Sequence, residues 1–422
     1  MAEATQTKTT IAIDPVTRIE GHLKAEVVVE NGKVVDAKLT GGMYRGFESI
    51  LRGRHPRDAA QIVQRICGVC PTAHATAASI ALEKASGTAV PSNGRATRNL
   101  ILGANYLQSH ILHFYHLAGQ DFIQGPDTAP FMPRYAKPDL RLPPAINAVG
   151  VDQYVEALEV RAVCHEMVAL FGGRMPHVHG ILAGGAAEIP TKEKLVEYAA
   201  RFKKVRKFVE EKYLPVVYLV GSQYKDLGAF GQGYRNALCV GVFPLDDEGK
   251  EFVFKAGAYQ DGKDMPFDVK RVTEDVKFSW FADSTSGKPF TKGENVLEVD
   301  KKGAYSFVKA PLYNGKPMEV GPLARMWVNN KPISPIGQKL FKEYFGLDVK
   351  NFRDMGEDLA FSLLGRHVAL QLFLVCHLYR SVPRPCHMAS KEELPSKVSL
   401  YSPPVQILLS GFFPFFLCWS GF

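Results

Sequence analysis

The segment Arg65-Ile-Cys-Gly-Val-Cys-Pro-Thr-Ala-His74 constrains this chain more than any other. Two cysteines three apart can turn both sulfurs toward one ion, and Gly68 between them leaves the backbone room to curl around it. Thiolates are soft ligands, suited to nickel, zinc, copper(I) or iron–sulfur centres. Pro71 is a favoured first residue of a helix. With a helix opening there, His74 lies one turn past Cys70, and its imidazole can reach back to tune the second sulfur. Arg65 adds a charge that favours the thiolate form. Taken alone, the pair fits three readings: metal ligands, a thiol-redox pair, or two inert buried cysteines. A structural zinc site needs four ligands, commonly from a second close pair. The sequence has none, because Cys376 and Cys386 stand ten apart, though each precedes a histidine. A thioredoxin-like pair would follow a strand in an α/β unit, and the local pattern is helical.

The 422 residues allow two or three domains or one large one. Seven cysteines are too few and too odd in number for a disulfide scaffold. Hydrophobic residues make up 46% and charged residues 22%, which permits a large core and argues against disorder. The net charge of +8 is mild for this length. Its densest basic stretch, Arg201 to Lys212, carries Phe202, Val205, Phe208 and Val209 at helical spacing. It therefore reads as the solvated face of an amphipathic helix, and no nucleic-acid partner is expected. The first ten residues are polar and show neither a Sec-type nor a twin-arginine signal. A cytoplasmic location is the expectation from this chain alone, unless a partner carries it across a membrane.

Ile11–Ile13 and Leu23–Glu30 read as strands, and Asn31-Gly32 as a hairpin turn into Lys33–Leu39, with Gly41-Gly42 ending the sheet. From Pro56 the pattern turns helical. Helices are expected over Ala73–Ala85, Asn99–Phe122, Val151–Phe171 (stopped by Gly172-Gly173) and Thr191–Tyr213, with a proline-rich loop over Gln124–Pro144. Gly228–Pro317 reads as a β-rich insertion. After about His367 amphipathicity is lost, and six prolines crowd the tail. Val405–Phe422 is long and apolar enough to consider as a membrane anchor, but Gly411, Pro414 and Gly421 interrupt it and no basic cluster follows. An out-of-frame end is the expectation.

Glu20, in Asp14-Pro-Val-Thr-Arg-Ile-Glu-Gly-His22, and Glu48, in Arg45-Gly-Phe-Glu48, both sit near glycines at element ends, where functional side chains are often placed. Ion pairs with Arg18 or Arg45 are the plainer reading of their spacing.

In order and spacing, DPVTRIEGH, RGFE and RICGVCPTAH resemble the large subunit of nickel–iron hydrogenases. The resemblance continues through HILHFYHLAGQDF (His110–Phe122), GGRMPH (Gly172–His177), EVGPLARMWVNN (Glu319–Asn330) and FSLLGRH (Phe361–His367), covering about residues 10–368. QGPDTAPF, EIPTKEKLVEYAARFKKVR and Ser109 before His110 are similar to the nickel–iron–selenium branch. The resemblance implies a mostly helical α+β fold, with long helices around a buried metal site, a small amino-terminal sheet and a β-rich insertion. It implies reversible oxidation of dihydrogen to protons and electrons. It implies Cys67 as a terminal nickel ligand, Cys70 as the thiolate bridging nickel and iron, and His74 as its hydrogen-bond partner. Glu20 would pass protons from the site, and Glu48 would hold a magnesium ion partly through water. The iron would carry carbon monoxide and cyanide inserted by maturation proteins. Electrons would leave through iron–sulfur clusters of a small subunit, toward a multihaem cytochrome. Export to the periplasm would depend on that partner.

The sequence departs from the family in one respect. The carboxy-terminal Asp-Pro-Cys-x-x-Cys-x-x-His, whose first cysteine is selenocysteine in the selenium branch, would supply two further nickel ligands and a magnesium ligand, and it is not found. Nor is the family's arginine over the metal. The motif resemblance ends at Val368, which gives a domain of residues 1–368 and a non-family tail of 369–422. A truncated or frame-shifted chain is one expectation; a non-catalytic remnant that binds the small subunit or a maturation factor is the alternative.

Overall fold

The computed structural model describes residues 8–134, 138–229, 233–247, 249–289 and 292–361. The chain divides into two compact units. One combines the residues up to Gly53 with Asp268–Pro317, and the other combines Arg54–Phe267 with the described residues from Met318 onward.

The first unit opens with an antiparallel sheet of β1 (Lys8–Ile13), β2 (Leu23–Glu30) and β3 (Lys33–Gly41), in which Val27 of the central β2 faces Ile11 and Ala37. Asn31 and Gly32 both take positive φ, 51° and 75°. That is the backbone a two-residue hairpin needs to match strand twist. The register slips between Val28 and Val29, which admits one extra residue into β3 as a bulge. Gly41 ends the sheet for a steric reason. A Cβ there would lie 2.4 Å from a Val308 methyl carbon, and its N–H donates to Ser306 Oγ at 3.0 Å. Gly46, left-handed at φ 67°, then starts α1 (Phe47–Leu51).

The second unit follows with α2 (Ala59–Ile62), α3 (Pro71–Ser86), α4 (Ser92–Ile111) and α5 (Pro144–Gly172). Prolines Pro71 and Pro144 open two of these helices, where the missing N–H costs nothing. Gly87, left-handed at φ 67°, closes α3. The expected long helix from Asn99 starts earlier, at Ser92 just after Pro91, and beyond Ile111 it widens into a π-helical stretch over Leu112–Ala118. The helix expected from Val151 likewise begins earlier, at Pro144. The hairpin β4 (Ile181–Leu182) and β5 (Gly185–Ala186) closes tightly on α4, where a Cβ on Gly94 would lie 2.8 Å from the Gly184 carbonyl oxygen.

Thr191 caps α6 (Lys192–Phe208) by accepting from the Lys194 N–H. The helix then passes through a π-helical turn, Val209–Tyr213, into α7 (Leu214–Gln223). Pro215 accounts for the wide turn, because its ring lacks an N–H and crowds the carbonyl four residues back. The core lies among these helices. It gathers Ala104, Leu107 and Ile111 of α4 with Ala157, Val160, Met167 and Phe171 of α5 and Tyr198, Val205 and Phe208 of α6, all essentially water-free. Each large side chain so buried contributes roughly 1.5–3 kcal/mol.

The stretch expected as a single β-rich insertion is shared between the units. Strands β6 (Ala237–Cys239), β7 (Val242–Pro244), β8 (Phe252–Phe254), β9 (Gly257–Gln260) and β10 (Lys263–Met265) belong to the second unit, whereas β11 (Val272–Asp275) and β12 (Ala310–Tyr313) belong to the first. Closely spaced glycines and aspartates at the turns, such as Asp261 (φ 53°) and Gly262 (φ 77°), keep the strands to three or four residues. Helices α8 (Pro322–Asn329), α9 (Pro335–Phe345) and α10 (Glu357–Ala360) return to the second unit. The tail 369–422, including the apolar stretch Val405–Phe422, lies outside the described residues.

Candidate metal centre

The site is assembled on the short helical run ahead of α3. After α2, a 3-10 turn over Val63–Ile66 ends at Cys67, whose backbone is extended and whose N–H reaches Gln64 O at 3.3 Å. Gln64, wholly buried, fixes this turn by donating to Val178 O at 2.9 Å and Ala60 O at 3.0 Å. Gln61 donates to the same Val178 carbonyl at 3.3 Å.

Past the turn, the backbone curls around the first sulfur. Cys67 Sγ accepts from the N–H groups of Val69 at 3.3 Å and Cys70 at 3.4 Å. Donors aimed at a sulfur favour its thiolate form and hold its direction. Gly68 is exposed, and a Cβ there would meet nothing within 4 Å, so the loop faces open space at its bend. Cys70 is the N-cap of α3, and its Sγ lies 3.7 Å from His74 Nε2, one helical turn on. His74 is 5% exposed. Burial pushes its pKa down to about 4, so it stands neutral beside the sulfur at physiological pH. The sequence-derived trio of Cys67, Cys70 and His74 is therefore gathered as the spacing predicts.

Arg65 is exposed, and its guanidinium donates to Gln61 O, 2.5 Å away. A further set of residues is one that spacing does not reveal. Arg325 of α8 is 7% exposed and lies over the Tyr106 ring, 5.4 Å from its centroid. Burial raises the Tyr106 pKa, the Arg325 charge opposes that, and Cys239 and Cys70 reinforce it. Gln108 of α4 donates to the Val69 carbonyl at 2.9 Å. The only sequence sign of Arg325 and Gln108 was that each falls within or beside a recognised motif.

The remaining predicted residues lie in the first unit. Glu20 is exposed, in the loop between β1 and β2 that holds Arg18 at φ 65° and Gly21 at φ 108°. Glu48 is half-buried in the first turn of α1. Its charge reaches Glu274, whose pKa is raised by burial first and by Glu48 in addition, against the Lys309 ammonium 2.9 Å away.

The two sulfurs, one already accepting two backbone N–H groups, would as thiolates form a donor set that fits a soft ion such as nickel and would fill two positions of a four-ligand shell. Among the described residues, no group of three or more His, Cys, Asp or Glu side chains is arranged to hold a metal. Cys376, Cys386 and Cys418 lie outside them. Among the described residues, no helix is long and apolar enough to cross a membrane.

Comparison with known proteins finds relatives over most of the chain. The nickel-dependent hydrogenase profile matches residues 45–128 and 120–381, and a HoxL-like profile matches residues 10–40. The family match thus extends past Val368, where the motif resemblance ends. The periplasmic NiFeSe hydrogenase large subunit of Desulfomicrobium baculatum is 60% identical over 370 residues, spanning 86% of this chain and 72% of that one. The hydrogenase-2 large chain of Escherichia coli (strain K12) is 33% identical over 383 residues, 75% of this chain and 67% of that one. The fold superposes on the Ni-Fe-Se hydrogenase from D. vulgaris Hildenborough in the reduced state with a TM-score of 0.87, at 65% identity, over 92% of this chain and 82% of that one. The chain belongs to the nickel-dependent hydrogenase large-subunit family, in its nickel–iron–selenium branch.

Proposed function

We propose that Cys67 and Cys70 form the amino-terminal half of a nickel–iron centre that oxidises dihydrogen reversibly. The observation that carries the proposal is the thiolate loop itself: Cys67 Sγ holds two backbone N–H groups while Cys70 Sγ lies beside the buried, neutral His74. In this reading Cys67 would hold nickel, Cys70 would serve both nickel and iron, and carbon monoxide and cyanide would complete the iron's ligands. The centre supplies a Lewis-acidic redox site for dihydrogen. The chain's own residues orient the sulfurs and move the proton. His74 hydrogen-bonds the Cys70 sulfur, Glu20 would relay the proton outward, and Glu48 would help to hold a magnesium ion. Electrons pass to iron–sulfur clusters of a small subunit and on to a multihaem cytochrome. Maturation proteins insert the centre, and the assembled pair works in the periplasm.

Purified protein, co-expressed with a hydrogenase small subunit and maturation factors, tests this directly. The expected result is bound nickel that is lost in Cys67→Ser and Cys70→Ser, together with hydrogen–deuterium exchange activity. Nickel content unchanged in both variants would refute the ligand assignment. The 422 residues hold one cysteine pair at this spacing, and that supports a second reading. In that reading the chain serves as a non-catalytic partner for the small subunit or a maturation factor. Retained binding to the small subunit with no nickel and no exchange activity favours the second reading.

A further inference from the structure

The Val69 carbonyl, at the centre of the cysteine loop, is held from outside the loop. The wholly buried Gln108 donates to it through Nε2 at 2.9 Å, and the same nitrogen lies 2.9 Å from Ser109 Oγ. The amide oxygen of Gln108 accepts from Arg161 Nε at 3.1 Å, and His165 Nε2 lies 3.4 Å from it. An amide has two N–H donors and an oxygen with two lone pairs. Here all four are engaged, and only one orientation serves them. Turning the amide over would set NH2 against the Arg161 guanidinium, which can only donate, and oxygen against the Val69 oxygen, which can only accept. Burial and then the Arg161 charge push the His165 pKa down to about 4, so the ring is neutral, and its Nε2–H tautomer is the one that donates to the amide oxygen.

We infer that Gln108, oriented by Arg161 and His165 of α5, is a positioning residue that fixes the Cys67–Cys70 loop through the Val69 carbonyl. The reach is long: Gln108 is 39 residues from Val69, and Arg161 is 53 from Gln108. It brings the packing of α4 on α5 to bear on the direction of two sulfurs. Val69 and Cys70 also supply the N–H groups on Cys67 Sγ, so releasing the Val69 carbonyl loosens the donors that hold the first thiolate. The consequence for nickel rests on Cys67 and Cys70 being ligands; the consequence for the loop does not.

Gln108→Glu is the discriminating variant. It keeps the volume and the two acceptors for Arg161 and His165, and an ionised carboxylate cannot donate to Val69. Two readouts are taken on the full chain. The first is amide exchange over residues 66–74 without metal; it should rise about ten-fold, the worth of one lost hydrogen bond to a buried acceptor, while exchange across α5 stays as in the wild type. The second is the thiolate-to-metal absorption band on titration with nickel(II) alone; the midpoint should move about ten-fold higher. Loop exchange equal to the wild type would overturn the inference, as would equal acceleration across α5. Where Gln108→Glu does not fold, Arg161→Met frees the amide to turn over and should speed exchange over 66–74 in the same way; unchanged exchange there overturns the inference too. A wild-type chain whose nickel(II) band is indifferent to Cys67→Ser refutes the ligand reading, and the metal-free exchange still decides the role of Gln108.

Discussion

The helix that presents Cys70 is tied down at its far end by a buried ion pair, and breaking that pair has a calculable cost. Arg98 of α4 and Glu83 of α3 are 5% and 8% exposed. Arg98 donates to both carboxylate oxygens of Glu83, to Gly185 O at 3.2 Å and to Leu182 O at 3.2 Å. Glu83 also accepts from the Gly184 N–H at 2.8 Å. The pair therefore joins α3, α4 and the β4–β5 hairpin. Arg98→Met keeps most of the volume but strands a buried carboxylate and leaves two carbonyls without this donor. Removing one partner of a buried pair costs about 3–5 kcal/mol. At roughly 1.4 kcal/mol per factor of ten, a loss near 4 kcal/mol is about a thousand-fold in an opening equilibrium. Native-state amide exchange across residues 71–111 reads this opening without requiring the whole chain to unfold in one step. The double variant Glu83→Met/Arg98→Met removes both charges and should recover about half of the loss, because the hairpin's backbone groups remain short of partners. A single-variant cost below about 1 kcal/mol, or a double variant no better than the single, would refute this account of the tie.

Gly94→Ala should lower the melting temperature: its Cβ would sit 2.8 Å from the Gly184 carbonyl oxygen and 3.4 Å from Gly185 Cα, which are backbone atoms unable to swing aside. Overpacking of about 1–3 kcal/mol is offset in part by roughly 1 kcal/mol of helix propensity, so an unchanged or raised melting temperature would show that the hairpin yields. Acid should destabilise the fold below about pH 6.5. Burial depresses the pKa values of His110, His116 and His165, so across that range the unfolded chain binds more protons than the folded one, and stability falls as pH falls. The melting temperature measured from pH 7 to pH 5 checks this, and a flat profile would contradict it.

The sequence alone determined the local geometry of the site. A cysteine–x–x–cysteine–proline run can hardly avoid placing the second sulfur at a helix start with His74 one turn on, and the structure has Cys70 as the N-cap with His74 Nε2 3.7 Å from its sulfur. The hairpin at Asn31-Gly32 and the stop at Gly172-Gly173 were legible for the same reason: each depends on backbone angles of one or two neighbouring residues. Helix starts were less legible. Ser92 and Pro144 open their helices ahead of Asn99 and Val151, where the apolar periodicity of the sequence begins. Only the tertiary structure decided that Gln108 holds Val69, that Arg325 lies over Tyr106, and that the stretch from 228 to 317 is divided between two units. Such relations join residues tens to hundreds of positions apart. Periodicity carries information over a turn or two, whereas a buried amide finds its four partners only when two helices have already packed.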